Sequence, residues 1–163
     1  MSASRPIALT ILAVSLAMSA GALLFEYAGG LAPCELCLAE RWPYYAAIAL
    51  AILALAAGRH AVPWWIGLAV LIFAASTVLA AYHVGVEQHW IAGPTACSGF
   101  TIGPGTTAED LRKMLEAREA VRCDEIQWAL FGVSLAGWNL IVSLLLLVFS
   151  GSGLRLMLRE ARA

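Results

Sequence analysis

Charge is what this sequence has least of. Only 13% of its 163 residues are charged, where a soluble domain carries about a quarter. The net charge is -1 and no basic patch stands out, which excludes nucleic acid as a partner. No internal repeat or glycine-rich nucleotide pattern is present. The βαβ pattern that a thioredoxin domain needs is missing as well. Two cysteines lie three residues apart, Cys34 and Cys37, but Leu38 follows the second where a c-type haem attachment needs histidine. A second close pair, which a zinc site would want, is also lacking, since Cys97 and Cys123 lie far apart in the chain.

What fills the chain instead is apolar. Hydrophobic residues make up 61% of it and the mean hydropathy is +0.81, so the chain reads as an integral membrane protein. Residues 7–25 carry no charge and come close to the roughly 20 residues that cross a bilayer. A cleaved signal peptide with Arg5 as its basic end competes for this stretch, but the run is longer than an ordinary h-region and further runs follow. The second span is expected over residues 42–58, with Trp42, Tyr44 and Tyr45 at its headgroup boundary. Pro43 is harmless in a first turn; it is a kink if the helix begins near Cys34. The third span is expected over 64–82 and the fourth over 128–149. The fold class is therefore an all-α membrane protein, one four-helix bundle over residues 1–163. Two external loops, about 26–41 and 83–127, join its spans.

Four crossings put both termini and the Arg59 turn on one side, and all four cysteines on the other. The basic residues divide evenly between the sides, but those of the termini and the Arg59 turn are denser, which favours that side as cytoplasmic. In the second loop, residues 93–107 are rich in Gly, Pro, Ser and Thr and are expected to be extended. Thr106-Thr107-Ala108-Glu109 fits a capping box and opens a short amphipathic helix to about Val121. That helix either lies on the membrane surface or packs loosely on the bundle.

Cys34, Cys37 and Arg41 share one face if the segment is helical. A helix start at Pro33-Cys34 and a guanidinium one turn away both favour a thiolate, the species that attacks disulfides. Glu35 and Glu40 oppose this if they point inward, and are expected to face water. A purely structural Cys34–Cys37 bridge would close too small a loop to stabilise much. Cys97 lies in the extended stretch, where it can be presented to another protein. Cys123 precedes the fourth span by a few residues and must sit near the membrane surface, close to Cys34 and Cys37. A Cys97–Cys123 disulfide would either hand electrons to Cys34–Cys37 or staple the loop. His83 stands at the outer end of the third span. An interfacial histidine is usually a polar end residue; Glu87, His89 and Trp90 read as loop structure. Asn139 is expected to bond across helices.

Together these features resemble the DsbB family of disulfide-bond formation proteins. The likeness covers nearly the whole chain: four spans, Pro33-Cys34-x-x-Cys37-x-x-x-Arg41 after the first, a cysteine pair after the third, and the run from Cys123 through Gln127-Trp128 to Gly132 and Trp138. The resemblance implies a bacterial inner-membrane, multi-pass protein-dithiol:quinone oxidoreductase with periplasmic cysteine loops. Its partners would be a periplasmic thioredoxin-fold thiol oxidase (DsbA-like), membrane lipid and the quinone pool. Cys97 would form the mixed disulfide with the partner, and Cys123 would then attack Cys34. Cys37 would meet a ubiquinone or menaquinone, with Arg41 stabilising the charge, His83 nearby and no metal involved. The DsbA–DsbB–quinone route is the known means of keeping the bacterial periplasm oxidising. The DsbA couple lies near -120 mV and ordinary structural disulfides below about -300 mV, so driving one with the other is uphill by roughly 8 kcal/mol. Either these disulfides are unusually oxidising or the quinone carries the reaction forward. Two alternatives stand beside this reading. One is a vitamin K epoxide reductase-like enzyme, in which the loop pair precedes the Cys-x-x-Cys. The other is a non-catalytic membrane protein stapled by zinc or disulfides.

Overall fold

The computed structural model describes residues 4–56, 62–94, 107, 109, 112 and 121–160. Helix α1 runs Ser4–Tyr27, α2 Glu35–Ala39, α3 Arg41–Ala56 and α4 Val62–Glu87; a hairpin of β1 (Ala129–Leu130) and β2 (Val133–Ser134) then leads into α5, Leu135–Glu160. Four helical stretches are long and apolar enough to cross a membrane: Arg5–Tyr27, Glu35–Ala56, Trp64–Glu87 and Leu135–Arg159. The second of these joins α2 and α3.

The bundle is apolar outside and partly polar within. Leu24, Leu71, Val78, Leu145 and Val148 are exposed, as side chains dissolved in lipid are. Inside, Ser15, Ala47, Ser76, Ala80, Ser143 and Ser150 are wholly buried. Lipid is as apolar as leucine, so small residues that allow close helix approach and polar groups that bond across helices hold such a bundle together. Ile7, Ile11, Tyr44, Leu50, Ile66, Phe73 and Leu146 form the main core. Through it runs a polar thread: Tyr44 donates to Asn139 Oδ1 at 2.5 Å, Tyr44 and Ser143 hydroxyls meet at 3.0 Å, and Ser143 and Ser76 at 2.9 Å. The interhelical role read for Asn139 in the sequence is met by this contact.

The outer ends of the helices depart from the expected boundaries, each for a physical reason. Helix α1 stops at Gly29-Gly30, where the Gly29 amide donates to the Leu24 carbonyl at 2.9 Å and Gly30 adopts φ +68°, a region open to glycine without penalty. The chain then turns back to Cys34. Helices α2 and α3 separate at Glu40. Pro43 has no N–H to give the Ala39 carbonyl, and its ring crowds that carbonyl, so the break falls there. Helix α4 continues to Glu87, past the expected end at residue 82, and His83 becomes a helical residue. The fourth helix opens at Leu135 rather than at Trp128. The intervening stretch folds back as the hairpin, pairing Ala129 with Ser134 and Leu130 with Val133. Its two-residue turn has Phe131 at φ +54° and Gly132 at φ +79°, the pattern that suits the twist of a tight hairpin. Of the amphipathic helix expected over 106–121, only positions 107, 109, 112 and 121 are described; Glu109 and Arg112 are helical.

The hairpin generates a stability prediction. Gly132→Ala places a Cβ in the left-handed region and is expected to cost about 1–2 kcal/mol, read as a lower unfolding midpoint in detergent. Phe131→Asn is expected to be neutral or stabilising, since asparagine tolerates that conformation.

Candidate active site

Cys34 is the N-cap of α2, with extended backbone (φ -73°, ψ 170°). Its sulfur accepts the Cys37 amide N–H at 3.1 Å, and the two sulfurs share a hydrogen bond at 2.7 Å. Both cysteines are free. A disulfide is about 2.05 Å long, so the pair stands close to bond-forming distance. The hydrogen bond from the Cys37 thiol pulls the Cys34 thiol below its ordinary pKa. Burial and the nearby Glu40 charge oppose that shift, and the Cys37 amide assists it. The hydrogen bonds outweigh the desolvation, so the Cys34 thiol at the mouth of the bundle is favoured to ionise.

The extension of α4 brings His83 to this pair. Its Nε2 lies 3.6 Å from Cys34 Sγ, and its Nδ1 lies 2.9 Å from Glu40 Oε1. Both side chains are almost fully enclosed, at 3% and 8% exposure. A carboxylate on Nδ1 fixes the tautomer and leaves Nε2 facing the sulfur. Carboxylate, imidazole and thiol thus stand in the order of an activated nucleophile. Glu40, expected to face water, instead turns inward, because the break at Glu40 aims it at α4. Glu87, read as loop structure, is the last residue of α4 and half-buried. It accepts the Ser134 hydroxyl at 2.5 Å, while Ser134 Oγ accepts the Gly137 amide at 3.0 Å and caps α5.

Arg41 is not given to a sulfur. Its Nη1 donates to Glu26 at 2.5 Å and its Nη2 to the Ala22 carbonyl at 3.5 Å. Arg41 and Cys37 do line one cavity, of about 460 Å³, which is walled by residues of α1, α2, α3 and α5 and by Gln127, Trp128 and Leu130. Its walls are mainly apolar, including Phe25, Leu31, Trp138 and Val142, and Phe25 packs on Trp128 with ring centroids 4.9 Å apart. His83 is not among the lining residues; its ring is occupied by Glu40 and Cys34.

Cys123 is buried to 1% exposure and packs in one apolar cluster with Cys34, Leu36 and Val86, against which Cys37 and Tyr82 rest. It is disulfide-bonded. Cys97 lies outside the described residues. Beside Cys123, Arg122 grips Asp124 with two hydrogen bonds of 2.9 and 2.6 Å, which hold the Asp124 carboxyl below the usual range. Sequence reasoning therefore placed Cys34, Cys37 and Cys123 in one neighbourhood. It missed Glu40, whose only local signal is its position three residues after Cys37.

A free dithiol at the head of a four-helix membrane bundle, beside a buried disulfide cysteine, defines a membrane thiol oxidoreductase. The family of disulfide bond formation protein DsbB matches residues 4–152, and the chain belongs to it. A Disulfide bond formation protein B of Aromatoleum aromaticum is 31% identical over 160 residues, covering 90% of this chain and 90% of its own. Another, of Verminephrobacter eiseniae, is 31% identical over 167 residues, covering 93% and 88%. An uncharacterized protein of Rickettsia prowazekii is 26% identical over 144 residues, covering 88% and 83%. This membership sets aside the vitamin K epoxide reductase-like alternative.

The sulfur geometry carries a pH prediction. Hydrogen bonds to Cys34 favour its thiolate, so alkylation of Cys34 in the dithiol form is expected to have a midpoint below that of an ordinary thiol. Cys37→Ala removes the thiol donor and is expected to move the midpoint upward, read by mass spectrometry of alkylated protein across a pH series.

Proposed function

We propose that the protein reoxidises a periplasmic thioredoxin-fold dithiol oxidase and passes the electrons through Cys97–Cys123 and Cys34–Cys37 to a membrane quinone. The observation that carries this reading is the division of labour between the two near sulfurs. Cys34 shares a buried cluster with Cys123, and Cys37 opens on the apolar cavity. The cavity suits a quinone: its size falls in the range of small-ligand sites, its walls are mainly apolar, and Arg41 stands at its edge. When bound, a quinone supplies an acceptor for two electrons and two protons.

The steps follow from the residues. A partner thiolate attacks Cys97 and expels the Cys123 thiolate; the partner's second thiolate displaces Cys97 and completes the partner's disulfide. Cys123 attacks Cys34 and breaks the Cys34–Cys37 bond, releasing the Cys37 thiolate beside the cavity. Cys97 then attacks Cys123, re-forming their bond and releasing Cys34. His83 holds or receives the Cys34 proton through Nε2, and Glu40 keeps its ring in place. Arg41, anchored by Glu26, puts a fixed positive charge at the cavity wall. We place the protein in a bacterial inner membrane, with the cysteine end periplasmic and the termini cytoplasmic, on the density of basic residues near the termini.

A metal-holding reading also has an observation behind it, because ligand atoms of Cys34, Cys37 and His83 lie within 4.8 Å of one another. Two thiolates on one tetrahedral zinc, with bonds of about 2.3 Å, sit roughly 3.8 Å apart. The 2.7 Å between these sulfurs fits a redox pair better.

The test is purified protein with a short-chain quinone and a reduced thioredoxin-fold partner. Quinone reduction is expected, Cys37→Ser is expected to abolish it, and a partner lacking its second cysteine is expected to accumulate a mixed disulfide with Cys97 by displacing Cys123. His83→Ala is expected to slow turnover about 100-fold or more and to shift its pH profile to the alkaline side. Full turnover by Cys37→Ser, or stoichiometric zinc whose removal unfolds the protein, would overturn the reading.

A further inference from the structure

Among the described residues, four buried side-chain polar atoms have no hydrogen-bond partner: Ser15 Oγ, Ser19 Oγ, Trp65 Nε1 and Asn139 Nδ2. Two of the four, Ser19 on α1 and Asn139 on α5, line the cavity that Cys37 and Arg41 also line. An unpaired amide N–H₂ is costly where no water can reach it. Its direction is set from behind. Tyr44 has one hydroxyl proton and gives it to Asn139 Oδ1. Ser143 must then donate to Tyr44, and Ser76 to Ser143. The protons of this thread all run toward Asn139, whose oxygen accepts the last of them and whose nitrogen is left over.

Holding helices together does not account for this arrangement. The Tyr44 contact already bonds α3 to α5, and it needs only the amide oxygen. The nitrogen is a second function of the same side chain. Cys37, Arg41 and Tyr44 follow one another down the α2–α3 wall of the cavity, Cys37 on α2 and Tyr44 in the first turn of α3. The Asn139 donor therefore lies deeper than the sulfur, at the level of Tyr44.

The geometry points to Asn139 Nδ2, with the Ser19 hydroxyl as a second donor in the same cavity, as the receptor for a carbonyl oxygen of the lipid-soluble oxidant. This rests on the quinone reading above and assigns it a specificity residue. A para-quinone carries an oxygen at each end of its ring, so one end is left for Cys37 and Arg41 while the other meets the amide. The donor selects for a carbonyl-bearing ring over an equally apolar hydrocarbon, and it fixes how deep the ring sits.

The experiment measures binding as well as turnover. Quinone is titrated into the detergent-solubilised dithiol protein while the fluorescence of the cavity tryptophans is followed, with Cys37→Ser as the non-reacting background. Infrared difference spectra are taken with a short-chain ubiquinone isotopically labelled at each carbonyl in turn. One carbonyl stretch is expected to fall in frequency on binding and to lose that shift in Asn139→Leu, with quinone affinity about tenfold weaker. Ser19→Ala is expected to produce a smaller loss of the same kind. Equal affinity in Asn139→Leu, or two unshifted carbonyls, overturns the assignment even where quinone is reduced normally. Bound quinone with a shifted carbonyl supports it even where no turnover occurs, in which case the electron-transfer reading alone falls. Should Asn139→Leu not accumulate, the unmutated cavity decides: an oxygen-free analogue of the ring that binds as tightly as the quinone overturns the assignment.

Discussion

The contact between Glu40 and His83 is the one on which the rest of the site depends. A carboxylate at the rim of a membrane bundle cannot be buried alone, because desolvation is too costly. Here it is buried against an imidazole at 2.9 Å, and that requirement ties the α2–α3 break to the end of α4. Once the tie is made, the other ring nitrogen can only face Cys34. The break at Pro43 turns Glu40 inward, the extension of α4 supplies the ring, and the N-cap of α2 presents the sulfur.

A second constraint comes from lipid. With no hydrophobic drive between helices, small residues and bonded polar groups carry the packing. The serines and the Tyr44–Asn139 contact do this in the lower bundle. At the upper end the polar groups are chemical instead, and the apolar cluster of Cys34, Leu36, Val86 and Cys123 performs the packing. The sulfurs are thus part of the core that positions them.

Much of this was legible in the sequence, and the remainder was not for definable reasons. Uncharged runs gave the four spans, because hydropathy depends on composition and not on partners. The placement of Cys123 near Cys34 followed from its distance to the last span. The start of α5 was misplaced because Trp128 to Ser134 is apolar enough to pass as helix, and only the Phe131-Gly132 turn reverses it. Glu40 was read as solvated because its burial depends on two other features, a break before Pro43 and five further residues of α4. Arg41 was placed beside a thiolate from helical spacing and from the family resemblance. Its true partner, Glu26, sits on another helix, fifteen residues earlier, where spacing says nothing.

The placement of the two free cysteines has a further consequence. Cys34 is 3% exposed and the half-buried Cys37 is turned to an apolar cavity, so small dissolved reagents reach these sulfurs slowly. An exposed dithiol exchanges with any thiol or disulfide in solution. Burial acts here as insulation. The route left to Cys34 runs past Cys123, in the same apolar cluster, and the route left to Cys37 runs into the apolar cavity.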